Sequence, residues 1–266
     1  MSVLIPKSLL SKFVLQHAPW SMSKAETAKT CPYKFHRKYV EKEKGVVTTA
    51  EAVIGSTVHK ALEYYFKNTS LITAFEIAVK EFNLTTKEIE SVYALFPNAS
   101  DFVKKFSNYR IKNPSNDPQI ELKLGITIDG TPAKFFDNTN CFFRGAIDLL
   151  LEFKSDIPSA LVLDHKTGKL RGVEHFTETL NAYILLTKVS ALPTVQRAIV
   201  ALNYIKENQI LFSKSGWQQT TDINPYLISL YTFLNEATKN AHDPTITNTS
   251  PLCSWCEYQM SCPAQK

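Results

Sequence analysis

Residues 159–168, SALVLDHKTG, begin as a buried-strand pattern and close on Asp164, His165 and Lys166 before a glycine turn. Side chains alternate along a strand, so Asp164 and Lys166 share one face and His165 takes the other. A carboxylate and an ammonium on one face form either a surface ion pair of little energetic weight or half of a site completed from elsewhere. The stretch CFFRGAIDLLLEF supplies a second carboxylate, Asp148, between apolar neighbours where an unpaired charge is costly. Arg144 or a backbone cap could compensate it. Alternatively Asp148 and Asp164, on neighbouring strands, converge as oxygen ligands for Mg²⁺ or Mn²⁺. Lys166 then gains a purpose: an ammonium beside such a metal orients or activates water and stabilises the charge that builds up during phosphodiester cleavage.

Cysteine supplies a second constellation. Cys253, Cys256 and Cys262 form a CxxC followed by five residues and a further cysteine. Three thiols are one short of a tetrathiolate site, and spacing leaves Cys31 and Cys141 both open as the fourth ligand. Four thiolates suit either Zn²⁺ or an iron-sulfur cluster. With five cysteines in all, odd in number and unevenly placed, a disulfide framework is disfavoured and a reducing cytoplasm is expected.

Cations complete the inventory. Lys34, His36, Arg37 and Lys38 interleave with Tyr33, Phe35 and Tyr39, a composition that suits phosphates and unpaired bases or, equally, the solvated face of an amphipathic helix. Lys169 and Arg171 follow the Asp164 strand and would stand beside its chemistry as phosphate contacts. A net charge of +5 and a pI near 8.8 add modest support for a polyanionic partner.

These residues need elements to position them. Apolar spacing reads as mostly helical up to about residue 112, with NPSNDP as turn chemistry after it. IELKLGITI, CFFRGAIDLLLEF and ALVLDHK read as three successive strands. A helical run over 173–189, strands near 195–205 and 209–212, and a helix over about 225–241 follow. The expected class is α/β: a mixed central sheet in which a three-strand antiparallel meander leads through a crossover helix to a further strand, behind a helical N-terminal region. The 266 residues, 44 % hydrophobic and 21 % charged, are read as one domain, helical over about 20–112, with its core over about 113–242 and a cysteine-rich segment at about 250–263. The opening run MSVLIPKSLLSKFVLQHAPW is broken by Pro6, Lys7 and Lys12 and reads neither as a secretion signal nor as a membrane span. No GxxxxGK[ST] phosphate loop occurs, so ATP-driven unwinding is not expected of this chain.

GAID at 145–148 followed by LDHK at 163–166 resembles the signature of the PD-(D/E)XK nucleases in its RecB-like form, and GSTVHKALE at 55–63 resembles that family's GxxxH motif. The resemblance implies a metal-dependent deoxyribonuclease. Asp148, Asp164 and His59 would bind Mg²⁺ or Mn²⁺, the backbone carbonyl of His165 would complete the shell, and Lys166 would position the attacking water. Glu121 resembles an acidic residue of some relatives on the preceding strand; otherwise it is an exposed strand-edge charge. The family's DNA-positioning helix carries a glutamine four residues before a tyrosine; here Tyr183 is present, but Thr179 stands in the glutamine's place. WSMSKAETAKTCPYKFHRKY is similar to the segment that carries the first cluster cysteine in AddB and CRISPR-adaptation relatives. It implies a 4Fe-4S cluster on Cys31, Cys253, Cys256 and Cys262, with Cys141 left to core packing. The resemblance further implies a cytoplasmic exonuclease, in the host cytoplasm if viral. It would act on single strands or duplex ends in recombination, repair, replication or CRISPR-type adaptation, with a helicase or recombination protein as partner and no membrane. A catalytically degenerate nucleic-acid scaffold and a zinc-stabilised endonuclease are the rival readings.

Overall fold

The computed structural model describes residues 7–45 and 49–265; residues 1–6 of the opening run lie outside them. The helices are α1 (Lys12–Gln16), α2 (Met22–Thr30), α3 (Pro32–Phe35), α4 (Ala50–Phe66), α5 (Leu71–Glu81), α6 (Thr86–Ala94), α7 (Phe96–Lys112), α8 (Thr177–Leu186) and α9 (Asn224–Ala237). The strands are β1 (Gln119–Ile126), β2 (Pro132–Ala133), β3 (Phe143–Phe153), β4 (Ser159–Lys166), β5 (Arg197–Tyr204), β6 (Gln209–Phe212) and β7 (Gln218–Gln219).

The strands form one mixed sheet in the order β2-β1-β3-β4-β5-β6, with β7 paired to β5. β3 and β4 are antiparallel; β4 and β5 are parallel and joined through α8, the crossover that the sequence pattern predicts. The α/β class and the helical N-terminal region are as expected. β2 and β7, two residues each, escape a pattern reading because alternation needs more positions to show itself.

The chain divides into two compact units. One comprises Ala50–Lys123 and Ala146–Asp222. Its core places Val58, Ala61 and Leu62 of α4 and Phe102, Val103 and Phe106 of α7 with Leu149 and Leu151 of β3 and Leu161 and Leu163 of β4. The spacing of these residues along α4 and α7 puts them on one stripe of each helix. β4 is buried from Ser159 to His165, as befits a central strand covered on both faces. Its last residues are therefore rigidly mounted.

The other unit draws on Met1–Thr49, Leu124–Gly145 and Ile223–Lys266. Trp20 is fully buried there, stacked on Phe35 at 5.7 Å with its Nε1–H donating to Val14 O at 2.8 Å. The segments flanking the cysteines meet. Tyr33 N–H donates to Ile246 O at 3.0 Å, Tyr33 hydroxyl to Ser261 O at 2.8 Å, and Asn248 Nδ2 to Thr30 O at 2.9 Å. Cys31 thus sits on a segment hydrogen-bonded to the one that carries Cys253, Cys256 and Cys262.

Candidate active site

β4 delivers Asp164 and Lys166 to the same side, as alternation requires: Lys166 Nζ lies 2.6 Å from Asp164 Oδ2. Tyr183 on α8 donates to the other oxygen, Asp164 Oδ1, at 2.7 Å. On β3, Asp148 is compensated not by Arg144 but by His59 and the strand beside it. His59 Nδ1 lies 3.4 Å from Asp148 Oδ2, and the backbone N–H of His165 donates to the same oxygen at 2.6 Å. Arg144 instead donates to Phe135 O and Asn138 Oδ1.

Glu121 joins this group, half-buried rather than at an exposed edge. One ligand atom from each of His59, Glu121 and Asp148 lies within 4.8 Å of the others. Glu121 has φ of 50°, a left-handed backbone that a non-glycine residue rarely adopts and that interrupts the regular alternation of β1. A cleft of about 540 Å³ opens over these side chains, lined also by Lys166, Thr167 and Gly168.

The GxxxH spacing has a physical reason. Gly55 and His59 lie one turn apart on α4. A Cβ at Gly55 would stand 2.6 Å from Thr167 Oγ1, so the absence of a side chain lets α4 approach the loop after Lys166 and bring His59 to Asp148.

Electrostatics separate the two aspartates. Burial pushes Asp148 upward, but the hydrogen bond and charge of His59 and the contacts of His165 overcome it and leave the carboxyl below its usual range. At Asp164 burial prevails, aided by the charge of Asp148 and only partly opposed by Lys166 and Tyr183, so its carboxyl lies above that range. Burial, then Asp148 and Glu63, also raise Glu121. Burial disfavours the charged form of His59, yet Asp148, Asp164 and Glu121 outweigh it and raise the imidazole. His165 takes the opposite face of β4 from Asp164 and Lys166, edge-on to His59 at 5.6 Å and to Phe102 at 5.2 Å, and burial lowers it to about 3. Asn203 Nδ2 sits 2.9 Å from its Nδ1, which makes the amide the donor and leaves the imidazole proton on Nε2.

One imidazole nitrogen and two carboxylate oxygens form a donor set that fits a hard divalent cation. Asp164 stands outside this set and does not line the cleft: its buried Oδ2 faces the Lys166 ammonium at 2.6 Å and its Oδ1 accepts from Tyr183.

The PD-(D/E)XK nuclease superfamily profile matches residues 19–263. The chain belongs to the PD-(D/E)XK nuclease superfamily. Members of this superfamily are metal-dependent nucleases, and the carboxylates and lysine of this PD-(D/E)XK chain fall inside the matched region. No curated protein matches the sequence. Among solved structures it is similar to one described as "Crystal structure of SSO0001", with 14 % identity over 98 % of this chain and 96 % of that one and a TM-score of 0.40.

The remaining candidates separate into two groups. Lys169 and Arg171 are exposed just beyond the cleft, their loop pinned by Tyr204, whose hydroxyl donates to Arg171 O at 3.0 Å. Thr179 is half-buried on α8 and does not line the cleft. Tyr183 on the same helix donates its hydroxyl to Asp164. Lys34 and Arg37 are not free cations. Glu257 lies 3.4 Å from Lys34, and Arg37 pairs with Glu41 at 2.9 Å and Glu43 at 2.6 Å. These carboxylates take up the charge that composition assigns to phosphates. Cys141 is buried, whereas Cys31, Cys253, Cys256 and Cys262 are half-buried free thiols. Asn203 and Thr167 escape the sequence reading altogether: the first acts through strand register with His165, the second through its approach to a glycine. Among the described residues no helix is long and apolar enough to cross a membrane.

Proposed function

We propose that this protein is a Mg²⁺- or Mn²⁺-dependent deoxyribonuclease that acts as an exonuclease on single strands or duplex ends. The convergence of His59, Glu121 and Asp148 beside the Asp164–Lys166 pair carries the reading. His59, Glu121 and Asp148 would hold the cation, with Asp164 and the His165 carbonyl adjoining. Bound there, a divalent ion supplies Lewis-acid polarisation of the phosphoryl oxygen and a more acidic water.

The chain's own groups do the rest. Lys166, held by Asp164, presents its ammonium to the water and to the charge that develops on the phosphate. Tyr183 keeps Asp164 oriented. Lys169 and Arg171 supply exposed charge for the backbone entering the cleft. The four cysteines, on segments already hydrogen-bonded together, would hold a 4Fe-4S cluster of RecB-like type as a clasp, Zn²⁺ being the alternative occupant.

The test is digestion of end-labelled single-stranded and duplex DNA with Mn²⁺ by anaerobically purified protein, alongside covalently closed circles and the Lys166→Ala variant. Release of label by the wild type alone, with circles spared, supports an exonuclease. Cut circles make it an endonuclease, and DNA binding without any cleavage makes it a scaffold.

A further inference from the structure

At the opposite end of β4 from Lys166 lies a second hollow, of about 200 Å³. It is lined by Tyr109, Lys112, Phe153, Lys154, Arg197 and Trp217 among others, and no carboxylate lines it. The aromatics form a ladder: Tyr109 to Phe153 at 6.0 Å, then Phe153 to Trp217 at 5.9 Å. Trp217 is 38 % exposed, a large apolar ring left open to solvent. The Arg197 guanidinium lies 4.8 Å from its centroid and is fixed in place by donating to Ser159 Oγ at 2.8 Å. Lys112 and Lys154 are exposed and have no ion-pair partner among the described residues.

The hollow continues. An adjoining one of about 410 Å³ shares Pro114 and Lys154 with it and includes Arg110. A third, of about 600 Å³, shares Ser107 and Arg110 and reaches Tyr65 and Ser70. Tyr65 is six residues after His59 on α4, about 9 Å along the helix at about 1.5 Å per residue. Arg110 is paired with Asp117 at 3.1 Å, a carboxylate that lines the third hollow, so the free positive charge gathers at the Trp217 end of this run of hollows, on Lys112 and Lys154.

We infer that this groove binds single-stranded polynucleotide at a site separate from the catalytic cleft, with a base stacked on Trp217 beside Arg197 and neighbouring phosphates on Lys112 and Lys154. A stacking ring within a row of cations matches sequence-tolerant single-strand binding, whereas duplex bases keep their faces hidden. The inference rests on the nuclease reading and gives it a second point of contact. Ser159 and Lys166 are separated along β4 by roughly 23 Å at about 3.3 Å per residue, more than a strand of two or three nucleotides covers. Only longer strands engage both sites.

The experiment has two arms, each on the full-length chain. In EDTA, where cleavage is blocked, fluorescence anisotropy measures binding of a labelled oligothymidylate several times longer than that span. Trp217→Ala and the double change Lys112→Ala/Lys154→Ala are each expected to weaken it about tenfold, within the range for loss of one stacked base. The lysine pair should also flatten the slope of log affinity against log salt by about 1.4. With Mn²⁺, the variants should cut a trinucleotide like the wild type and show a raised KM for the long strand. Trp217→Phe, which keeps a ring, should restore binding and guards against misfolding of the alanine variant. Long-strand affinity and salt slope unchanged in the variants would overturn the inference. Variant-sensitive binding with no cleavage by the wild type would leave the groove standing and sink the catalytic reading instead.

Discussion

Tyr183 donates its hydroxyl to Asp164 Oδ1 at 2.7 Å, tying the crossover helix to the strand that carries Lys166. Removing the hydroxyl in Tyr183→Phe leaves a buried carboxylate oxygen without its donor, at a cost of about 1.5–3 kcal/mol. Thermal melting should register that loss. Cleavage should fall while Mn²⁺ binding is retained, because Tyr183 touches Asp164 and not the His59 cluster.

Metal binding and turnover should come apart by mutation. Glu121→Gln and His59→Ala are expected to weaken Mn²⁺ binding, read by calorimetry, by at least the roughly 10–100-fold typical of outer partners. Lys166→Ala should bind Mn²⁺ as the wild type does and yet lose about 10²–10³ in rate, the scale for removing one charge-stabilising donor. Equal loss of Mn²⁺ affinity in all three variants would contradict this division of labour.

Gly55→Ala should impair the site from a distance. The new methyl collides with Thr167 Oγ1, so α4 or the loop must give way and His59 retreats from Asp148. Combining it with Thr167→Ala removes the obstructing oxygen, and activity should recover in the double variant. Failure to recover would mean that the glycine serves another purpose.

Acid should destabilise the metal-free protein partly through His165. Burial lowers this imidazole to about 3, against 6.5 when unfolded, so between those values the unfolded chain binds a proton that the folded one refuses. Stability from this residue is complete above about pH 6.5 and is lost as pH falls towards 3, with a slope of about 1.4 kcal/mol per pH unit. Urea unfolding from pH 7 to pH 4.5 should show a shallower decline in His165→Gln than in the wild type.

The proposed cysteine clasp predicts a stability effect and a colour. Anaerobic protein carrying the cluster should be brown, and Cys256→Ser should bleach it and lower the melting temperature. A colourless wild-type protein with stoichiometric zinc would replace the cluster with the ion.

Much of this site was legible in the order of residues because strands obey a period of two. Asp164 and Lys166 had to share a face, and β4 had to be buried to hold them. His59 was legible only through its glycine, whose reason, the closeness of Thr167, is tertiary. Glu121 could not be placed with assurance because a left-handed residue inside a strand breaks the alternation on which such a reading depends. Lys34 and Arg37 show a different limit of sequence reading. Composition counts charges but does not see their partners, and Glu257, which neutralises Lys34, lies more than two hundred residues away.

The unit that carries the cysteines is assembled from three stretches of chain, while every residue of the unit that carries the candidate site has been made once Asp222 is in place. On a ribosome, domains generally fold as units as their residues emerge. The candidate site can therefore form first, and the segment around Cys31, although synthesised early, must wait for Cys253 to Cys262 before its own unit can close. A metal group held by the four proposed cysteine ligands would therefore be inserted only after the residues of the other unit have emerged.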